Sequence, residues 1–327
     1  MNGSESSIYR VCFRFVDGCV HRLSVALLVS SIVGWLRPKR QLTVCATDTS
    51  RATATVQRNP PQLPANSNQN YLYPPLASRL FSVWFRHMRV YTKNIFSNGL
   101  PPFLEPLLFL AGVGLGLGKY ITESMEGLAY IEFLGTGLLV TTAMFTASFE
   151  CTFGTFIRME FEKVYDGMLA APITANNLII GEMLWAGTKG LFFSFAVLCI
   201  LALFGIVSLP KCLLAPVVGF ITGLMFSTLA MLVTSFVKTI NHFNFYFTGL
   251  ISPMFFFSGV IFPISNLPAY VRPVAEIVPL THSVRLVRAV CIHHYPPHLL
   301  LDLLYVIAFI LIVGFFAVKR LKKRLVF

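Results

Sequence analysis

The chain has 327 residues, 55% of them hydrophobic, 14% aromatic and 12% charged, with a mean hydropathy of +0.70. A soluble protein of this length carries about twice that charged fraction, so the composition excludes a soluble enzyme or binding module and defines an integral membrane protein. The formal net charge of +12 is uneven: residues 1–98 hold 12 Lys and Arg against Glu5, Asp17 and Asp48, a balance of +9, and residues 99–327 hold 14 against 11, a balance of +3. This basic excess ahead of the first clear span is a positive-inside signal and not a nucleic-acid footprint.

Residues 1–75 differ from the rest. The apolar run 23–36, between Arg22 and Arg37, is short for a span, which needs about 20 residues. A signal peptide, a transit peptide and a misassigned start codon all fit it. The stretch 41–75 is rich in Thr, Pro, Asn and Gln and reads as a disordered linker. The membrane domain is therefore expected at 76–327, behind a leader at 1–75. From 76 to 96 the pattern is helical, with Arg79, Ser82, Arg86, Arg89 and Lys93 on one stripe and Leu80, Val83, Trp84, Met88, Tyr91 and Ile95 on the other. A basic, aromatic-bearing helix of this kind lies in the plane of the anionic cytoplasmic leaflet and meets membrane lipid there.

Six spans are expected next, at about 100–118, 133–156, 176–207, 212–237, 243–262 and 299–318. Arg158, Lys163, Lys238, His242 and the terminal KRLKKR (319–324) fall on one side, and Glu123, Glu126 and Glu132 on the other. Both termini are cytoplasmic by this distribution. The loop before the sixth span breaks the rule with Arg272, Arg285 and Arg288 on the outer side. Its prolines at 263, 268, 273 and 279 suggest a re-entrant element, tolerated only where protein shields the backbone.

Between the second and third spans lies a charged island, RMEFEKVYDGMLAAP (158–172). Phe161, Val164, Tyr165, Met168 and Leu169 fall at helical spacing on one face, with Glu160, Glu162, Lys163 and Asp166 opposite. Such a helix cannot cross a bilayer, yet spans flank it, so it is expected at the cytosolic surface within reach of a soluble partner. Glu105, Glu150, Glu182 and Lys189 lie in or beside apolar segments, where ionisable groups are costly and mark function by default. Glu150 suits pairing with Lys189 or a helix terminus, or contact with a transported substrate. Glu182 and Lys189, seven apart, share a helix face. A proton-coupled carrier would also use such carboxylates.

Other motifs exclude more than they assign. Gly112, Gly114, Gly116 and Gly118 form two overlapping GxxxG pairs and no dinucleotide fingerprint. They serve close packing within a subunit or across a dimer. Gly181 to Lys189 fails the phosphate-loop spacing, so any ATP that drives the protein is bound elsewhere. The seven cysteines form no CxxC pair, and His293, His294 and His298 lack helical presentation and an acidic or thiolate neighbour. No metal, cofactor or catalytic constellation is indicated, which argues against a membrane-embedded transferase. Phe243, Phe245, Tyr246, Phe247, Phe255, Phe256 and Phe257 suit an aromatic cavity or plain packing.

Taken in order, these features resemble the ABC-2 family of ABC-transporter permeases, in the branch of the nodulation-factor export permeases. The resemblance covers roughly 78–325. It is carried by Phe149-Glu150 with Gly154-Thr155-Phe156, by Tyr165 to Ile173, and by Gly181-Glu182 with Trp185 and Lys189. Phe257 to Pro263, Leu267-Pro268 and Pro279-Leu280-Thr281-His282 add to it. The resemblance implies two permease subunits, as a homodimer or heterodimer, with two ABC ATPase subunits that bind ATP and Mg. It implies that the 158–172 helix is a coupling helix seated on the ATPase, with Glu160, Phe161, Glu162, Val164, Tyr165, Asp166, Met168 and Leu169 as its docking residues. It implies export of an amphipathic cargo: a lipo-oligosaccharide, a lipid-linked polysaccharide or a drug. A proton-coupled secondary transporter is the alternative. The expected location is the bacterial inner membrane, with the plastid envelope as the alternative given the acid-poor 1–75.

Overall fold

The computed structural model describes residues 74–116, 127–207, 212–292 and 298–326. The apolar run 23–36, the polar stretch after it, Lys119, Glu123, Glu126, Lys211, His293 and His294 lie outside the described residues. Among the described residues every regular element is a helix. Four are long and apolar enough to cross a bilayer: Tyr130–Phe161, Ala175–Leu203, Ala215–Phe236 and Leu299–Leu325. They correspond to the second, third, fourth and sixth expected spans.

The elements in chain order are α1 (Leu76–Lys93), α2 (Ile95–Phe109), α3 (Tyr130–Phe149), α4 (Val164–Leu169), α5 (Ala175–Leu203), α6 (Ala215–Phe236), α7 (Phe243–Tyr246), α8 (Ser252–Phe257), α9 (Arg272–Ile277), α10 (Pro279–Ile292) and α11 (Leu299–Val326). Helices α3, α5, α6 and α11 form the bundle. The core runs through Leu134, Leu139, Met144, Leu178, Leu198, Met225 and Phe226, all fully or nearly fully buried. Helix α5 begins at an N-cap, where Thr174 accepts from the Asn177 amide. Where α5 meets α6 the contact is made by glycine. A Cβ on Gly190 would lie 2.9 Å from the Gly219 carbonyl oxygen, and one on Gly223 would lie 3.3 Å from Gly187 Cα. Small residues let these backbones approach, which is the main source of helix association in lipid.

The first and fifth expected spans are interrupted. Helix α2 passes at Leu110–Leu115 into a π-helical turn across the glycine run. Among the described glycines of that run, only Gly114 comes close to another helix of the subunit, near Ile131; Gly112 and Gly116 face open space. Helices α7 and α8 are separated by a π turn, Phe247–Ile251. Pro253 explains the second break: it has no amide to give the carbonyl four residues back, so the preceding turn widens.

Helix α1 packs on α5 through Val83, which sits against Gly181, and through Trp84, whose Nε1 donates to Thr188 at 3.0 Å. Its other face exposes Phe81 and Phe85. The proline-rich segment before α11 forms α9 and then α10. The latter lies across the start of α3, where Arg288 donates to the carbonyls of Gly259 and Phe133 and its guanidinium sits 3.6 Å from the Phe133 ring centre. His282 at the start of α10 meets Asp302 of α11 at 2.6 Å.

The 158–172 island differs from the continuous helix expected of it. Arg158 to Phe161 belong to the end of the long helix begun by α3, which runs on through π turns at Glu150–Gly154 and Ile157–Phe161. Lys163 then adopts φ 48°, and α4 is a separate six-residue helix. A non-glycine residue in that left-handed region ends a helix at some cost. The cause is Arg158, whose side chain is tied back into the bundle and so keeps its turn aligned with α3.

Candidate translocation site

Three elements bring four ionisable groups and a histidine to one place near the elbow between α3 and α5. The π turn after α3 supplies Glu150, and two turns further on the same helix supplies Arg158. Glu182 and Lys189 project from one face of α5, and His87 projects from α1. Arg158 Nη1 lies 2.9 Å from Glu150 Oε1, and its Nε lies 3.2 Å from Glu182 Oε1. Lys189 Nζ lies 2.8 Å from Glu150 Oε2, and Thr155 donates to Glu182 Oε2 at 2.7 Å. His87 Nε2 is 3.3 Å from Glu182 Oε1, close enough for attraction but not aligned as a hydrogen bond.

Every member is largely buried; the Glu182 side chain is 1% exposed and that of Arg158 16%. Two acidic and two basic side chains therefore balance within one lattice. Taking charges out of water costs several kcal/mol per ion, and only complete pairing offsets it. Arg158 is the hinge of this lattice because one guanidinium spans both carboxylates. Tyr165 of α4 is buried beneath it, and burial followed by the charge of Glu182 pushes its phenol well above the usual range. It stays a neutral hydroxyl in the field of Glu182 and Arg158.

Beside the lattice is a cavity of about 830 Å³ between α1, α2, α3, α5 and α8. One end is charged, lined by Arg86, Glu150, Arg158 and Lys189 with Tyr91 and Trp185. The other is apolar, lined by Phe109, Leu138, Phe145, Phe255 and Phe256. Thr141 and Thr142 stand among the apolar lining, between Leu138 and Phe145, and both spend their hydroxyl protons on backbone carbonyls one turn back, leaving lone pairs for a guest. The volume falls within the range of small-molecule sites, and the lining suits a molecule with one polar and one apolar part. Lys189 Nζ also sits 4.7 Å from the Tyr91 ring centre, and burial followed by Glu150's charge raises the Tyr91 phenol to about 12.

The expected site residues divide. Glu150, Glu182 and Lys189 come together, with Glu150 paired to Lys189. Glu105 belongs to α2, and its side chain lies outside the described residues. Among the expected docking residues, Phe161, Glu160, Glu162 and Asp166 are exposed and Val164 and Leu169 half-buried. Tyr165 and Met168 are buried in this chain's own core, which corrects the expectation of a free apolar face. Of the expected aromatic set, Phe255 and Phe256 line the cavity. Phe247 stacks on Phe149 at 4.2 Å, Phe243 packs on Phe153 and Phe156, and Tyr246 meets Ser148. Phe245 is 78% exposed and Phe257 40%. Arg158, Thr155 and His87 were not anticipated as partners. The sequence signal for Arg158 is its spacing of eight from Glu150, two helical turns along a helix whose end the loop reading placed too early. Among the described residues no group of His, Cys, Asp and Glu could hold a metal ion.

The geometry is that of a polytopic helical membrane protein with a half-open amphipathic cavity, and the comparisons give its class. The family model for the ABC-2 type transporter matches residues 78–292, and the chain belongs to that family. It is 32% identical over 207 residues to nodulation protein J of Sinorhizobium fredii, covering 63% of this chain and 79% of that protein. It is 31% identical over 244 residues to nodulation protein J of Rhizobium meliloti, covering 75% and 93%. A more distant relative is the inner membrane transport permease YadH of Escherichia coli K12, 22% identical over 209 residues, covering 63% and 79%. This is a multi-pass membrane protein and the transport component of its system.

Proposed function

We propose that this chain is the membrane-spanning permease subunit of an ATP-driven exporter, working with a separate ABC ATPase that binds ATP and Mg. The subunit crosses the membrane six times with both termini cytosolic, the interrupted α2 and the α7–α8 pair completing the four long helices. Two copies, or this chain and a related one, form the pathway. The membrane is the bacterial inner membrane, with the plastid envelope as the alternative. The cargo is amphipathic: its apolar part is accommodated among Phe109, Phe145, Phe255 and Phe256, and its polar part near Arg86 and Lys189.

The observation that carries this reading is the buried lattice joining the elbow to the cavity. Tyr165 of α4 is buried in this chain's core within the field of Glu182 and Arg158, and Arg158 and Glu150 line the cavity. A push on α4 by an ATPase is therefore delivered to α3 and α5 through rigid, paired charges, a rigid-body switch between two packings. Because α4 buries Tyr165 and Met168, the surface offered to the partner consists of Phe161, Glu162, Asp166 and Gly167. Full pairing of Glu150 and Glu182 with cations disfavours a proton-carrying role for either. The test is a detergent pull-down of the tagged protein from its native membrane with mass spectrometry. A stoichiometric partner bearing a Walker A sequence is expected; a clean preparation without an ATPase overturns the reading.

A further inference from the structure

Cys212 stands just before α6, and Cys291 stands in the last turn of α10, 79 positions away. Both are buried, at 0% and 7% exposure. The Cys212 Sγ lies 3.8 Å from the Cys291 carbonyl oxygen, which brings the two cysteines into one neighbourhood. Cys151 and Cys199 have no such relation: Cys151 lies in the π turn beside the charge lattice and Cys199 on α5. A buried thiol is ordinarily a small hydrophobe. Two thiols meeting from distant parts of a chain are a different matter when they face an oxidising compartment. By the orientation given under the proposed function, on which this inference rests, the starts of α6 and α11 and the whole of α10 belong to the outer face.

We propose that Cys212 and Cys291 form a disulfide in the mature protein, on the outer face of the membrane. The oxidant is an oxidised dithiol carrier of the outer compartment. The Cys212 thiolate attacks one carrier sulfur, breaking the carrier's S–S bond and forming a mixed disulfide. The Cys291 thiolate then attacks the Cys212 sulfur, and the carrier leaves as a dithiol holding two electrons and the two thiol protons. The bond forms before α10 settles and buries the pair. It ties the far end of α10 to the base of α6, while Arg288 holds its middle to α3 and His282 its start to α11. All three anchors keep the outer segment on the bundle.

The experiment is differential alkylation of the full-length protein in its native membrane. Membranes are denatured in light N-ethylmaleimide without reductant, then reduced and labelled with the heavy reagent. Cys212 and Cys291 are expected to carry the heavy label, Cys151 and Cys199 the light one. In a Cys291→Ser variant, Cys212 is expected to turn light. Light label on Cys212 and Cys291 in the unsubstituted protein overturns the proposal, as does heavy label on Cys212 in the variant. A Ser265→Cys probe in a background with the native cysteines changed to Ser, treated with an impermeant maleimide from outside, separates the two ways of failing. A labelled probe means the orientation holds and the pairing is wrong; a protected probe means the orientation itself is wrong.

Discussion

Arg158 holds Glu150 with one nitrogen and Glu182 with another, all three side chains being largely buried. Removing it strands two carboxylates, not one. Arg158→Met is expected to cost about 3–5 kcal/mol, the usual penalty for breaking a buried pair, read as a large fall in the detergent thermal midpoint. Arg158→Lys restores the charge but not the fork, since an ammonium on a single stem reaches one carboxylate well. Its midpoint is expected to fall between the two. A midpoint for Arg158→Met equal to that of the parent would show that water fills the lattice. Lys189 has a lesser role, pairing with Glu150 alone, so the double change Glu150→Gln with Lys189→Met is expected to cost less than the sum of the single ones. The double-mutant cycle measures that coupling, expected at about 0.5–3 kcal/mol.

At the scale of elements, α4 and the α5–α6 crossing make opposite demands on glycine. A Cβ on Gly167 of α4 meets nothing within 4 Å, so a large side chain there alters the surface and leaves the fold alone. Gly167→Arg is expected to leave expression and thermal midpoint unchanged and to abolish co-purification of the ATPase. Retention of the ATPase would remove α4 from the docking surface. Met168→Asp is the contrasting change, lowering the midpoint because it puts a charge into the core. At the crossing, a Cβ on Gly219 would sit 2.5 Å from Ser194 Cβ, which cannot swing away. Gly219→Val is expected to destabilise by about 1–3 kcal/mol or more through overpacking, seen as a lower midpoint and a broadened elution on gel filtration. This crossing was open to sequence reading, since Gly187, Gly190, Gly219 and Gly223 are visible there. The glycine run at 112–118 is denser and the stronger signal along the chain, although among the described residues only its Gly114 makes a close approach to another helix of the subunit.

Over the whole molecule, α11 closes the bundle at the elbow end. Arg324 donates to the carbonyls of Thr234 and Val237 at 2.6 and 2.5 Å and to Glu160 at 2.7 Å, joining the ends of α6 and of the long α3 helix. Hydrogen bonds from a charged donor to the two backbone carbonyls contribute about 1.5–3 kcal/mol each, while the pair with the exposed Glu160 contributes about 0–1 kcal/mol. Arg324→Ala is expected to free the last turns of α11, measured as faster tryptic cleavage at Lys319 to Lys323, with no change in membrane insertion. An unchanged cleavage rate would mean that apolar packing alone holds the helix.

Hydropathy and residue spacing determined by themselves that this is an all-helical membrane protein and where its four long helices lie, while the family was indicated by the resemblance of its short motifs. Those properties are local or additive: each residue votes by its transfer free energy whatever its neighbours do. That Glu150 would find Lys189 was legible too, because both are costly in an apolar segment and each needs an opposite charge. Only the tertiary structure decided that Arg158 belongs to the lattice and not to a surface helix, that the island breaks at Lys163, and that Tyr165 and Met168 turn inward. Helical periodicity identifies an apolar face but not what covers it. Whether a partner or the chain itself buries that face depends on which helix ends meet in space, and spacing along the chain carries no record of that.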